Sequence, residues 1–461
     1  MFIKKYLKKL IHKNLFKSLN KVLKDKNILK MFPRYSLNNV DNNNNTVVGW
    51  IPFVKNNTRI LLFNFFSVNY SIRKPLDVTV YLILNDQIQD QHKLTIYPEQ
   101  LIELNPEKIF QNIKGEILIV ELKSALINKG HGGHDGHMRF WGKYVDDAGN
   151  ITAMTHSMPL SYNDLFIKKS KYNSRNYTLA INKNDKIFNF YPGGCIEIND
   201  GGADSVYGFN LIINKNIPKS VWHLSPQNKN NEDRELMQGF YCPEIEKIDP
   251  FIILDPNETG IKKNVIQLFI CKNDKIFFKK EIIINGLYKK KVSDIFKDVK
   301  GGYYFFIKFK SLGYSHAHVH FSNNENIFDQ VHMHETNWEI KNNRFIPVIM
   351  KQGKNCRKFF LYDLKNLKQE NFIIIHNETV ENKTYNNLKV RLFQNGFEKL
   401  INLKIYPNTP IEIFNLREIF KNINNENTLV QIESYDFNFH ATGMIFNKTN
   451  GNVCTDHFTG G

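Results

Sequence analysis

Three segments of the chain repeat one order of strands and turns, and this repetition limits the folds that the sequence can adopt. Each segment has an alternating strand, a polar turn, a second strand, an Ile-Phe pair and a further alternating strand that closes on a serine, at Ser124, Ser311 and Ser434. Short alternating strands with frequent turn signals favour antiparallel β-sandwiches over a parallel sheet. Each copy, with its flanking strands, has about the size of an immunoglobulin-like sandwich.

The Ile-Phe pairs and the segments after them extend the match between the copies. The pairs are Ile109-Phe110, Ile295-Phe296 and Ile419-Phe420. A short polar segment precedes each pair, so we predict one helical turn that closes the end of each sandwich. Each copy then ends in a hairpin that carries histidines, and Phe140, Phe321 and Phe446 anchor the alignment of the three hairpins.

The repeats define a domain organisation for the whole chain. We predict a mainly β protein with three tandem antiparallel β-sandwich units behind an amino-terminal basic amphipathic helix. The helix covers residues 1–35, and the three units cover residues 47–158, 241–336 and 337–461. Residues 159–240 do not fit the repeat and are interpreted as an insertion of extra strands.

The first half of each unit also carries a family resemblance. The order Trp-Ile-Pro, "LFN", "VTVYLIL" and "HKLTI" in the first copy resembles the small β-sandwich of sensory rhodopsin transducer proteins, and it is similar to immunoglobulin-like β-sandwich modules more broadly. The resemblance stops before the histidine hairpins, so it assigns no functional residue. What it implies is the sandwich fold and a ligand-binding role.

Residues 1–34 are the most basic part of the chain. They hold ten lysines and one arginine against Asp25, and therefore carry +10 of the formal net charge of +17. In residues 2–23 apolar side chains recur every three or four positions, which predicts an amphipathic helix with a lysine-rich face. Such a helix suits the surface of an anionic membrane, and docking on the body or on a partner protein is the alternative. The rest of the chain carries only the remaining +7, which argues against nucleic acid as a partner.

Cysteine usage and hydropathy indicate the compartment. The five cysteines are far apart, odd in number and form no CxxC motif, which favours a reducing environment over a disulfide framework. No apolar run reaches the ~18–20 residues that span a bilayer, and lysines interrupt the apolar stretch that a secretory signal needs. We therefore expect a cytoplasmic protein, which would lie peripherally at the inner face of the membrane if the amino-terminal helix binds lipid rather than protein.

Eleven of the fifteen histidines lie in the three terminal hairpins, and the second hairpin is the richest. Residues two apart on a strand share a face about 6.6 Å apart, within reach of one metal ion. If even-numbered residues pair with even-numbered ones, the imidazoles share a face and can hold one or two Zn, Fe or Mn ions; an odd register separates them. The alternative is a solvated face without metal. The candidate ligands are His316, His318, His320, His332 and His334, with Glu335 as an added oxygen ligand or as a hydrogen-bonding partner of a ligand.

The first hairpin has a mixed polar composition near a glycine-rich turn. Glycines allow a tight loop that gathers side chains, and histidine, aspartate and arginine together suit an anion, a sugar or a metal. Aromatic neighbours can stack on a sugar ring, although aromatic residues on a strand more often belong to the core. The candidate ligand-binding residues are His131, His134, Asp135, His137, Arg139, Trp141 and His156.

The third hairpin keeps only His440 and His457, with Asp456 beside the latter. Two histidines are few for a transition metal, so we interpret this copy as degenerate or structural.

Catalytic motifs give no support for a standard enzyme class. The chain has no G-x-S-x-G, no P-loop, no G-x-G-x-x-G after a strand and no H-E-x-x-H. We therefore expect a non-enzymatic protein that binds a polar ligand, such as a glycan or a lipid-linked saccharide, or a partner, through its hairpin ends near a membrane surface. The alternatives are a metal-dependent hydrolase or oxygenase that uses the cluster at 316–335, and a scaffold without a small-molecule ligand.

Overall fold

The structure is a computed structural model. It describes residues 40–41, 46–70, 72–85, 87–111, 113–124, 140–159, 185–190, 196–198, 203–205, 208–224, 233–244, 248–254, 256–272, 275–297, 299, 301–312, 315–323, 326–335, 338–347, 356–377, 386–395, 397–406, 411–434, 439–448 and 451–460. The helix expected in residues 1–35 lies outside these ranges and stays a prediction.

The first sandwich consists of two antiparallel sheets. Its elements are β1 (Val40–Asp41), β2 (Thr46–Pro52), β3 (Thr58–Phe63), α1 (Phe65–Tyr70), β4 (Leu76–Leu84), β5 (Gln87–Ile96), β6 (Leu101–Leu104), α2 (Pro106–Ile109), β7 (Ile117–Lys123), β8 (Trp141–Val145), β9 (Ile151–His156) and β10 (Met158–Pro159). One sheet has the order β1-β2-β7-β4-β5, with β10 beside β2, and the other has the order β6-β3-β8-β9.

The segment between the first and second sandwiches adds two small sheets. Its strands are β11 (Asp185–Phe190), β12 (Ile196–Ile198), β13 (Ala203–Ser205), β14 (Gly208–Asn214) and β15 (Ile217–Leu224). Strands β11, β14 and β15 form one antiparallel sheet in that order, and β12 pairs with β13. The segment therefore contains five strands in the residues described, and its origin as an insertion stays a prediction.

The second sandwich repeats the arrangement of the first. Its elements are β16 (Asp233–Cys242), β17 (Phe251–Leu254), α3 (Pro256–Thr259), β18 (Lys263–Lys272), β19 (Lys275–Asn285), β20 (Tyr288–Lys291), α4 (Val292–Ile295), β21 (Tyr303–Leu312), β22 (His318–Asn323), β23 (Asn326–His332), β24 (His334–Glu335), β25 (Trp338–Lys341) and β26 (Arg344–Pro347). The sheets have the orders β24-β16-β21-β18-β19-β26-β25 and β20-β17-β22-β23. Its first strand begins at Asp233, within the segment interpreted as an insertion, and the β25–β26 hairpin extends its sheet.

The third sandwich has the same strand order again. Its elements are β27 (Cys356–Asp363), β28 (Gln369–Asn377), β29 (Asn386–Gln394), β30 (Phe397–Ile405), β31 (Ile411–Asn415), α5 (Leu416–Ile419), β32 (Asn427–Ser434), β33 (Phe439–Asn447), β34 (Val453–His457) and β35 (Thr459–Gly460). The sheets have the orders β30-β29-β32-β27-β35 and β31-β28-β33-β34. In every copy a two-residue strand after the hairpin pairs with an equivalent strand of the other sheet: β10 with β2, β24 with β16 and β35 with β27. The predicted fold class, with three tandem antiparallel sandwiches, is therefore confirmed.

Local sequence features explain the strands and helical turns that recur in the three sandwiches. In β4 the side chains alternate between buried and more exposed positions, as expected for a strand with one face on a core. The turns α2 and α5 each begin after an asparagine whose side chain accepts a backbone N–H, from Glu107 for Asn105 and from Arg417 for Asn415. The Ile of each Ile-Phe pair ends such a turn, as predicted. No helix among the described residues is both long enough and apolar enough to cross a bilayer.

The three sandwiches pack into one body rather than a string. One hydrophobic core runs through the first and third sandwiches and includes Phe209 of the intervening segment. A second core fills the second sandwich and takes in Ile374 and Met444 of the third. The rings of Phe63 and Phe359 join the first and third units at 5.9 Å between centroids. The terminal hairpins are therefore held in fixed positions relative to one another.

Gly443 offers a test of the sandwich packing in the third unit. A Cβ at this position would lie 2.7 Å from three carbon atoms of the Phe360 ring, which itself packs on Tyr362 and Phe458. We expect Gly443→Ala to lower the free energy of unfolding by about 1–3 kcal/mol, because the crowded ring must shift. Urea denaturation measures the change. Lys448→Ala, at an exposed position after the same strand, should change stability by at most about 0.5 kcal/mol. Equal stability of the two variants would contradict the packing.

Candidate metal centre at the hairpin junction

The terminal hairpins of the three sandwiches meet at one place. Their last long strands, β9, β23 and β34, contact one another although they come from three different units. These strands are the edges of the second sheet in each sandwich, so their free edges come together when the units pack. The hairpin ends, where the sequence predicts binding or chemistry, therefore meet at one place, which we call the hairpin junction.

The register identifies which residues are equivalent at the junction. In each hairpin one histidine on the second strand pairs with a residue on the first strand of the hairpin. This histidine lies two residues before the short strand that follows, which is β10, β24 or β35. The pairs are Trp141 with His156, His318 with His332, and Thr442 with His457. A backbone bond supports this register, since Ser157, Met333 and Phe458 donate to Phe140, Ala317 and Ala441 respectively.

This register corrects the alignment of the hairpins on Phe140, Phe321 and Phe446. Phe140 is equivalent to Ala317 and Ala441, and the other two phenylalanines lie further along their strands. The prediction that these three phenylalanines are equivalent is wrong, because each strand has more than one core position that an aromatic side chain can fill. The common feature of the hairpins is the final histidine.

Three side chains from two sandwiches form a compact polar cluster at the junction. Asp456 accepts hydrogen bonds at Oδ2 from the backbone N–H of His156, at 2.7 Å, and contacts His156 Nδ1 at the same distance. Its other oxygen accepts the backbone N–H of His457 at 2.8 Å and lies 3.2 Å from His457 Nδ1. The two imidazole rings meet edge to face with their centroids 4.5 Å apart. His156 and Asp456 are buried, and His457 is about one fifth exposed.

The electrostatics of the cluster favour a charged carboxylate. Burial by itself raises the pKa of Asp456, but the charge of His156 and hydrogen bonds from both histidines outweigh burial. The net result is a pKa well below the usual aspartate value. Asp456 therefore remains an anion at neutral pH, and a buried anion needs cationic partners. Protonated histidines or a metal ion can satisfy that requirement.

The donor set fits a transition-metal ion. One ligand atom from each of His156, Asp456 and His457 can be chosen so that all three lie within 4.8 Å of one another. Two imidazoles and a carboxylate are common ligands of Zn²⁺ and of non-haem iron, and a three-residue set leaves a coordination position open.

The structure separates the residues predicted for the first hairpin. His156 lies in the cluster, whereas Trp141 is fully buried beside Phe63 and Phe360 and has no exposed face for a sugar. His131, His134, Asp135, His137 and Arg139 lie outside the described residues, so their role as ligands stays a prediction.

The second hairpin has the even register that its metal site requires. His318 pairs with His332 and His320 pairs with Gln330, so the histidines of β22 and β23 share a face. His318 and His320 are buried. Burial, followed by the charges of Lys289 and His318, lowers the pKa of His320 well below its usual value, which keeps this imidazole in the neutral form that binds metals.

The other predicted ligands of the second unit are not all on that face. His334 and Glu335 form β24, which pairs with Gly239 and Gln238 in the opposite sheet. One face for all five histidines is therefore wrong, because the chain crosses the open edge of the sandwich at Met333. His316 precedes β22, and its Nδ1 lies 3.2 Å from the carbonyl oxygen of Met333. Metal binding by His316, His318, His320 and His332 stays a prediction.

Asp456 and His457 are the residues that the sequence analysis missed. The sequence of the third hairpin predicts no site, because two histidines in one hairpin are few for a transition metal. The site is built between units, with His156 three hundred residues away from Asp456. Alignment on the final histidine of each hairpin is the signal that would have grouped His156 with His457.

A buried ion network lies beside the same interface. Lys143 Nζ lies 2.6 Å from Asp363 Oδ2 and 2.8 Å from Glu103 Oε1, and its side chain is almost fully buried. Glu103 also contacts Lys365 and accepts a hydrogen bond of 3.1 Å from Asn427. Burial raises the pKa of Glu103, but the charge of Lys143 and the surrounding hydrogen bonds lower it to about 2. The network joins the first and third units through charge.

Comparisons with known proteins give little for this chain. No protein-family model matches it, and no curated protein matches it. A search of solved structures finds a crystal structure of a serine-rich repeat protein from Streptococcus agalactiae. The match has 9% sequence identity and a TM-score of 0.17, and it covers 60% of this chain and 92% of the other. A score this low does not establish a common fold.

Proposed function

We propose that the protein is a non-enzymatic binding protein, built from tandem β-sandwiches, whose hairpin junction binds one divalent transition-metal ion, most simply Zn²⁺. His156 and His457 supply imidazole nitrogens, and Asp456 takes part either as a ligand or as the group that orients the two rings. The observation that carries the proposal is the approach of these donors to within 4.8 Å across two sandwiches. The ion would fasten the first unit to the third.

Burial of the cluster favours an ion over a larger ligand at this place. A glycan needs an open groove with polar groups and an exposed aromatic face, whereas His156, Asp456 and Trp141 are all buried. A desolvated cluster of this size suits an ion. Binding of a glycan or lipid-linked saccharide therefore rests on residues 131–139, and membrane attachment rests on the basic sequence of residues 1–34.

A metal-dependent oxygenase or hydrolase is the second candidate. The specific observation in its favour is the donor set, because two histidines and one carboxylate with an open position is the ligand pattern of non-haem iron oxygenases. Stoichiometric iron in place of zinc, with oxygen consumption by the purified protein, would favour this function.

Metal analysis of the untagged protein tests the proposed function. We expect about one Zn²⁺ per chain after dialysis against zinc, and a higher melting temperature than that of the apo protein, because an ion that binds only the folded state stabilises it. His457→Ala should lower the zinc affinity at least about tenfold, since it removes a ligand. His92→Ala, at a partly exposed position on β5, is the matched control.

Two results would contradict the metal centre at this junction. One is a wild-type protein that binds no zinc and melts at the same temperature with and without it. The other is zinc binding that His457→Ala leaves unchanged but His318→Ala abolishes, which would move the ion to the second hairpin.

A further inference from the structure

The segment between the first and second sandwiches contains a fourth copy of the histidine hairpin. Its sequence "LIINKNIPKSVWHLS" matches "MIFNKTNGNVCTDHFT" of the third hairpin, and both end on a histidine followed by an apolar residue and a hydroxyl residue. The register agrees, since Phe209 pairs with His223 as Thr442 pairs with His457. Strand β11 pairs with β14 as β28 pairs with β33. The copy retains one sheet of a sandwich.

The fourth hairpin closes a ring with the other three. Strand β15 contacts β9 and β23, and β34 contacts the same two strands. Each of the four end strands therefore has two neighbours in the ring. The sheet of the fourth copy packs on the first sandwich through the edge-to-face contact of Phe209 with Trp50, at 4.8 Å between ring centroids. The junction is therefore built from four related hairpins, although the described part of the chain contains three complete sandwiches.

The same backbone position carries a histidine in all four hairpins. These residues are His156, His223, His332 and His457. The residue before each histidine differs, and only the third hairpin has an acid there. Repetition of the imidazole, without repetition of the acid, indicates that the histidines are the common element of the junction.

We propose that the metal ion of the junction lies inside this four-strand ring and takes His223 and His332 as further ligands beside His156 and His457. This proposal rests on the proposed function. Each of the four strands of the closed ring carries a histidine at the same backbone position, and four imidazole ligands would complete the tetrahedral coordination of a structural Zn²⁺. Asp456 then acts as a positioning residue. It lies against Nδ1 of both rings, which leaves Nε2 of each as the ligating nitrogen.

The test uses the full-length untagged chain loaded with Zn²⁺ or Cu²⁺. Zinc affinity is measured by competition with a chromophoric chelator, and the number of nitrogen ligands by electron paramagnetic resonance of the Cu²⁺ form. We expect His223→Ala and His332→Ala each to lower zinc affinity at least about tenfold and to remove one nitrogen from the Cu²⁺ spectrum. His92→Ala should leave both unchanged. His→Asn replacements, which keep a polar side chain, serve if the alanine variants do not fold.

The outcomes separate this inference from the function on which it rests. If His457→Ala weakens binding while His223→Ala and His332→Ala bind zinc as the wild type does, the metal centre stands and the four-histidine ring is wrong. If the wild-type protein binds no metal, both are wrong. Loss of affinity without loss of a nitrogen from the spectrum would also overturn the ring, because it would show a structural effect.

Discussion

Replacement of Lys143 by methionine should lower the free energy of unfolding by about 3–5 kcal/mol, the cost of leaving a buried charge without its partner. The ammonium group lies between Asp363 and Glu103, and almost no water reaches it. Methionine fills a similar volume but leaves two carboxylates without this cation. Asp363 belongs to the third sandwich and Glu103 to the first, so the loss should loosen the contact between them.

Urea denaturation at neutral pH measures this effect, and a compensated variant tests its cause. Lys93→Met, at an exposed position on β5, should stay within about 0.5 kcal/mol of the wild type. In the triple variant Glu103→Gln, Lys143→Met, Asp363→Asn no buried charge of this set remains, and we expect at least half of the lost stability to return. A loss below about 1 kcal/mol for Lys143→Met would show that water or Lys365 satisfies the carboxylates.

The sequence was sufficient for the fold because the sandwich signals are local and repeated. Alternating strands, turn residues and the Ile-Phe pairs each act within a few residues, and their recurrence in three copies removes the ambiguity of any single one. The helical turns that end at Ile109, Ile295 and Ile419 follow directly from these local signals.

The candidate site could not be found in the same way because it depends on contacts between units. Asp456 meets His156 only after two sandwiches have packed, and no local pattern encodes that packing. The density of histidines in the second hairpin drew attention to one strand pair, although His334 and Glu335 belong to the other sheet. The number of histidines within one hairpin therefore does not indicate that the third unit contributes Asp456 and His457 to a site between units.

Two buried ionic clusters connect the same pair of sandwiches. The Lys143 network joins them through β6, β8 and the end of β27, and the Asp456 cluster joins them through β9 and β34. Apolar contacts such as Phe63 with Phe359 bring the surfaces together without specifying their register. Buried charges penalise arrangements that separate the partners, so we expect these clusters to specify how the first unit meets the third.

Asp456→Ala should be the most destabilising change at the junction of the metal-free protein, by about 3–5 kcal/mol, because a buried, charged partner of two histidines is lost. The backbone N–H groups of His156 and His457 would also lose their acceptor. Asp456→Asn keeps one acceptor oxygen and should cost less, about 1–3 kcal/mol. Asp147→Ala, in the exposed turn of the first hairpin, should change stability little.

The pH dependence of this loss checks that the carboxylate charge is its cause. The pKa of Asp456 is depressed in the folded protein, so its contribution is fully present above the pKa of the unfolded aspartate, about 3.9. The contribution is lost as the pH falls through the lower folded pKa. The stability difference between the wild type and Asp456→Asn should therefore stay level near pH 5 and shrink at lower pH, as followed by urea denaturation from about pH 5 to about pH 3. A difference that grows as the pH falls would mean that Asp456 is protonated in the folded protein, and the ion pair with His156 would then be wrong.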